Sequence, residues 1–170
     1  MISRTMRRTT SVVVPSNPPH EGYRPRSADA DFAQRDFEVE RPDGARVVVR
    51  VYQPTSAAHA NAAPILILDG IGCSGWAFNQ IIPTLARERP VALMHHRGHG
   101  DSPTPPRPWR LSMHTLADDA AAVYEAAALP PALVVGFSMG FQVALEFYRR
   151  HRARVAGLVS LAGPSGRPLD

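Results

Sequence analysis

Three short stretches of this chain carry residues whose types and spacing could do chemistry. The first is Gly-Phe-Ser-Met-Gly at 136–140, which fits the pattern GxSxG. In that pattern a serine sits on a tight strand-to-helix turn, and the turn leaves no room for side chains two residues to either side. Gly136 and Gly140 answer that need. The turn would also set Ser138 at a helix N-terminus, where free N–H groups and the helix dipole favour a developing negative charge. The chemistry this implies is nucleophilic attack by Ser138 on an acyl carbon.

The second stretch, DGIGCSGW (69–76), is rich enough in glycine for its backbone to approach a ligand closely. An N–H from it, that of Ile71, could join the N–H of Met139 around an oxyanion, a donor of the kind worth about 3 kcal/mol in a transition state. Cys73 lies inside this loop and reads as a small buried hydrophobe rather than a second nucleophile. The third stretch, HHRGHGDS (95–102), offers His95, His96 and His99. No second cluster completes a metal site, and adjacent histidines at a strand end point oppositely, so no metal and no cofactor are expected. Arg97 and Asp101 are expected to pin this loop by ion pairing or capping.

These loops need a frame. FEVE and VVVRVYQ flank a Pro-Asp-Gly turn, which predicts a β-hairpin. ILILD (65–69), VALM (91–94), ALVVG (132–136) and VAGLVSLAG (155–163) are apolar without alternation, as strands buried on both faces are. Between them, Phe78, Ile81, Ile82 and Leu85 fall at helical spacing, with Pro83 in or near the first turn. Leu116, Ala120, Val123 and Ala127 form a second stripe, with Ser112 as its cap. Met139, Val143 and Phe147 form a third, amphipathic one. Apolar strands alternating with such helices predict an α/β fold, a mostly parallel sheet with helices on both faces. Ligands of such sheets gather at the carboxyl ends of the strands, which the three loops leave.

Composition narrows the function classes. The chain has 170 residues, enough for one domain with a sizeable core. All 19 basic residues are arginine, and the net charge of +4 resides in residues 1–26, where five arginines face Glu21 alone. The remainder is neutral, so a basic nucleic-acid-binding stripe is not visible. No apolar run reaches the ~18 residues of a membrane span. A single cysteine excludes an intrachain disulfide and suits a reducing compartment, so a cytoplasmic location is expected. Residues 1–35 read as a disordered basic leader, with a twin-arginine or transit signal as the alternative, and 36–170 as the folded part.

Taken in order on this strand-helix succession, DGIGCSGW, RGHGDS and GFSMG resemble the α/β-hydrolase fold superfamily, in its esterase, lipase and perhydrolase-like branch. The resemblance runs from about Asp36 to Gly163. It implies Ser138 as the catalytic nucleophile, the backbone N–H groups of Ile71 and Met139 as the oxyanion hole, Gly136 and Gly140 as the elbow glycines, and a small-molecule acyl substrate. Many members carry His-Gly where this chain has Asp69-Gly70, and an acidic residue where His96 precedes Arg97. In the family an acid and then a histidine follow the nucleophile. After Ser138 this chain offers Glu146, His151 and Asp170. His151 would lie about 18 Å away along the helix at 1.5 Å per residue, too far to be the base. The resemblance therefore implies an amino-terminal portion of the fold, stopping after about the sixth strand, with the triad's acid and histidine missing. Its last strand would be an exposed apolar edge, prone to self-association. Two functional expectations follow: a serine hydrolase of carboxylic ester-like bonds acting through an acyl-enzyme, or a catalytically inactive binding or interaction module on the same fold.

Overall fold

The computed structural model describes residues 13–15, 31–108 and 111–164. Strands β1 (Val13–Pro15), β2 (Phe32–Glu40), β3 (Arg46–Pro54), β4 (Ile65–Leu68), β5 (Val91–Met94), β6 (Ala132–Phe137) and β7 (Val155–Leu161) form one sheet in the order β1-β2-β3-β5-β4-β6-β7. The half made of β5, β4, β6 and β7 is parallel throughout. The half made of β1, β2 and β3 is antiparallel and joins β5 through β3.

The hairpin forms where the Pro-Asp-Gly turn predicts it. Gly44 takes φ +77°, Arg41 and Ala45 close the turn by an N–H to carbonyl bond of 2.8 Å, and β2 pairs with β3 along nine residues. β2 starts at Phe32, inside the segment expected as leader, because Phe32 has a core partner: its ring meets Tyr52 edge-on at 5.9 Å. Val13–Pro15 also pair with β2. The rest of the expected leader, 1–12 and 16–30, lies outside the described residues.

Of the unalternating strands, β4 and β5 are buried throughout and β6 nearly so, whereas β7, at the edge of the sheet, is only half-buried and so departs from the expectation; each face has its own helical cover. Ile65, Ile67, Val91 and Leu93 point to one side, where Phe78, Ile82 and Ala86 pack on them. Leu66, Leu68, Ala92, Met94 and Val134 point to the other, under α3 (Met113–Ala126) and α4 (Met139–Arg150). Ser112 caps α3, its side chain accepting the Thr115 N–H at 3.1 Å.

The first helical stripe is corrected. A short 3₁₀ turn at Trp76–Phe78 precedes α2, which runs only from Ile82 to Glu88, and Ile81 is exposed. Pro83 is the reason: it lacks an N–H and so is confined to the first turn, which stops the helix from reaching back to Phe78. The polar connector before β4 holds one turn of helix, α1 (Ala57–Ala60). Among the described residues no strand pairs with the outer edge of β7. No described helix is long and apolar enough to cross a membrane.

Candidate active site

Ser138 joins β6 to α4 with φ +52° and ψ −120°, a conformation that L-residues avoid. Holding a non-glycine residue there costs on the order of 1–3 kcal/mol and persists only where neighbours over-determine it. The neighbours are on both sides. The Ser138 N–H donates to the Leu161 carbonyl at 2.9 Å, so β7 ties down the turn, and the Phe141 N–H donates to the Ser138 carbonyl at 3.1 Å, which starts the helix. A β-carbon at Gly136 would fall on the Phe141 backbone, 2.5 Å from its nitrogen. One at Gly140 would stand 2.5 Å from the Asp69 carbonyl oxygen. Gly136 therefore lets the first turn of α4 fold back onto β6, and Gly140 lets it press against the end of β4. Ser138 is half-buried, and its hydroxyl makes no capping bond to the helix it precedes.

β4 and β6 are parallel neighbours with Leu68 opposite Gly136. That register sets the loop after β4 beside the turn at Ser138. The loop folds as a ring: Cys73 N–H reaches the Gly70 carbonyl at 3.3 Å, Gly72 and Gly75 take positive φ, and the Asp69 carboxylate accepts the N–H groups of Gly70 and Gly75 at 2.8 and 2.6 Å. Among the described residues, neither the Ile71 nor the Met139 N–H is engaged by an acceptor. The Ile71 side chain is 62% exposed. Burial, and next the Asp69 charge, push the Cys73 thiol up, so it stays protonated at neutral pH and is no competing nucleophile.

The third loop is pinned from both ends. Arg97, nearly fully buried, binds both oxygens of the buried Asp119 on α3 at 2.6 and 2.7 Å, and Asp43 of the hairpin turn at 2.5 Å. Arg41 adds a bond of 2.9 Å to the same Asp119. Asp101 pairs with Arg50 at 3.1 Å, and Arg50 in turn holds Asp36 at 2.9 Å. Sequence reading found Arg97 and Asp101 but not Asp119, Asp43 or Asp69. The only trace of Asp119 is a carboxylate on the apolar stripe of α3, three residues after Leu116.

The two adjacent histidines do face apart. His96 Nε2 donates to the Asp69 carbonyl at 2.9 Å, while His95 Nδ1 accepts the Asp101 N–H at 3.0 Å. Both rings are buried and neutral. Burial, opposed by the Asp69 bond and aided by His99 and His95, lowers His96 to about 4, and burial lowers His95 in the same direction. Among the described residues no three histidine, cysteine or carboxylate side chains gather as a metal site requires. Since the folded His96 resists a proton that the unfolded chain accepts near 6.5, stability is full above that pH and falls as pH drops towards 4. The loss from His96 alone is about 3 kcal/mol. Urea denaturation should show this fall between pH 6.5 and 5, where few carboxylates titrate, and His96→Gln should flatten it; parallel curves for the two proteins would refute it.

Neither candidate partner that follows Ser138 reaches it. Glu146 bonds His114 at 2.6 Å and Arg149 at 2.8 Å on the flank of α4, and Arg149 holds its carboxyl below the usual carboxylate range. His151 ends α4, its ring 5.2 Å from that of Phe147. Asp170 lies outside the described residues.

A family model for the alpha/beta hydrolase fold matches residues 63–169, which takes in all three loops. The chain belongs to the α/β-hydrolase fold family. Among curated relatives, the pimeloyl-[acyl-carrier protein] methyl ester esterase of Chromobacterium violaceum is 35% identical over 99 residues, 58% of this chain and 36% of that protein. Among solved structures, a variant of the N-acyl homoserine lactonase AidH superposes with a TM-score of 0.66 at 26% identity, covering 78% of this chain and 46% of the other. An esterase from Exiguobacterium antarcticum superposes with a TM-score of 0.66 at 22% identity, over 75% of this chain and 45% of the other, a likeness of fold. The chain thus spans about a third of the length of the curated relatives it matches and under half of these solved structures.

Proposed function

We propose that this α/β-hydrolase chain carries the nucleophile and the oxyanion-stabilising half of a serine hydrolase acting on carboxylic ester-like bonds. The observation that carries this is Ser138, a non-glycine residue held at φ +52° with a hydroxyl free of the helix it precedes. In the proposed reaction Ser138 Oγ bonds to the carbonyl carbon and gives up its proton to a general base. The carbonyl π electrons move onto oxygen, where the N–H groups of Ile71 and Met139 receive the charge. Collapse of this intermediate expels the alkoxide, which takes a proton, and leaves the acyl-enzyme; water then releases the acid. The base would be a histidine oriented by an acid, roles that neither His151 nor Glu146 is placed to fill. The substrate class is a small acyl compound, which the ester- and lactone-cleaving relatives support.

An alkylboronic acid tests the nucleophile without needing the base, because adduct formation is an equilibrium. Boron accepts the Oγ lone pair and a proton is released, giving a tetrahedral anion that resembles the intermediate. Butylboronic acid should bind the chain, and Ser138→Ala should weaken binding by roughly 100-fold or more. Equal affinity in the variant would reject Ser138 as nucleophile and favour the inactive binding module. The same reading includes self-association through the outer edge of β7, whose VAGLVSL sequence has no charge or proline to discourage pairing. A monomeric mass at every concentration in sedimentation would remove that part.

A further inference from the structure

We propose that Asp69 is a positioning residue, the clamp that shapes the loop presenting the Ile71 N–H; this rests on the reading of Ser138 just given. Asp69 is buried at the carboxyl end of β4, and its carboxylate takes no part in the proposed bond-making. Its side chain nevertheless closes the whole loop. One oxygen accepts the Gly70 N–H at 2.8 Å, and the other accepts the Gly75 N–H at 2.6 Å. Its backbone carbonyl accepts the His96 Nε2–H at 2.9 Å and abuts Gly140 in the first turn of α4. Asp69 thereby joins the loop after β4, the loop after β5 and the turn at Ser138.

The chemistry of the side chain explains why it is a carboxylate. Two N–H donors, those of Gly70 and Gly75, converge on one group, and a carboxylate offers two acceptor oxygens at once. A neutral imidazole, the side chain many family members carry here, has one acceptor nitrogen; an asparagine has one acceptor oxygen and would turn its NH₂ towards the second donor. Hydrogen bonds to an ionised acceptor are also about twice as strong as neutral ones. Between the two clamped amides lies Ile71, whose own N–H is left without an acceptor among the described residues. The clamp consumes the N–H groups on either side of the one the oxyanion would need.

The test compares the full chain as wild type and Asp69→Asn, with Ser138→Ala as a separate control, by amide hydrogen exchange and ¹⁵N spectra with and without butylboronic acid. In wild type the Gly75 amide should be protected, and the boronate should shift the Ile71 and Met139 amides together. In Asp69→Asn, exchange at Gly75 should rise by roughly tenfold or more, the boronate-induced shift at Ile71 should shrink, and that at Met139 should persist. An unprotected Gly75 amide in wild type overturns the clamp without any variant. Unchanged exchange at Gly75 in Asp69→Asn overturns it as well, as does a uniform loss of protection through Val134 and Phe147, which would make Asp69 a stability residue only. A boronate shift that survives in Ser138→Ala overturns instead the reading of Ser138, and with it the catalytic purpose of the clamp.

Discussion

Replacing Asp119 with alanine is expected to destabilise the chain by about 3–5 kcal/mol, the cost of leaving a buried charge without its partner. Asp119 has no solvent exposure, and three guanidinium nitrogens converge on its two oxygens: Nε and Nη2 of Arg97 and Nε of Arg41. Arg97 is itself 3% exposed and cannot turn to water when Asp119 is removed. Asp43 would remain as its one anionic partner, on a surface turn. The loss is a large share of the 5–15 kcal/mol that holds a typical domain together. Asp119→Asn, which keeps the volume and one acceptor, should fall between wild type and alanine. Urea denaturation reads all three, and a change below about 1 kcal/mol in Asp119→Ala would show that the network is solvent-relaxed.

Gly140→Ala is the second large effect. Its new methyl group would stand 2.5 Å from the Asp69 carbonyl oxygen and 2.6 Å from the Leu68 carbonyl carbon. These are backbone atoms at the end of β4, so no side chain can rotate away, and α4 must lift from β4. Overpacking costs typically about 1–3 kcal/mol where side chains can adjust, and the upper end or more is expected here. The lifted helix also carries Ser138 and Met139 away from the loop of Asp69, so boronate affinity should drop by about tenfold or more even in protein that remains folded. Gly72→Ala is the matched control. Its φ of +69° makes alanine strained, but nothing lies within 4 Å of the added carbon, so the cost should be near 1 kcal/mol. A loss at Gly140 no larger than that at Gly72 would mean that α4 and β4 give way to the added methyl at little cost.

Much of the frame was legible from local pattern. Pro-Asp-Gly between two β-prone runs specifies a hairpin by its own dihedral preferences, and the hairpin is where that predicts it. Three of the four unalternating apolar runs, those of β4, β5 and β6, are buried, because a covered parallel sheet hides such strands, while β7 lies at the edge and stays half-exposed. GFSMG announces a strand-to-helix turn, since two glycines around one serine have few other uses at that junction. The stripe at Phe78–Leu85 misleads at Ile81, where spacing alone suggests a continuous helix and Pro83 restricts it to a shorter one.

The sequence by itself therefore determined which segments are strands and helices, where the chain turns, and which serine stands at the turn, because backbone preferences and hydrophobic periodicity act over a few neighbours. Only the tertiary structure decided what holds the site. Arg97 meets Asp119 across 22 residues and Asp43 across 54, Arg41 meets Asp119 across 78, and His96 meets the Asp69 carbonyl across 27. Asp69 looks like a departure from a familiar dipeptide until the loop closes around its carboxylate. These partners are chosen by the parallel stacking of β5, β4 and β6, which brings the ends of three separate strands to one rim, and no periodicity within a single segment records that meeting.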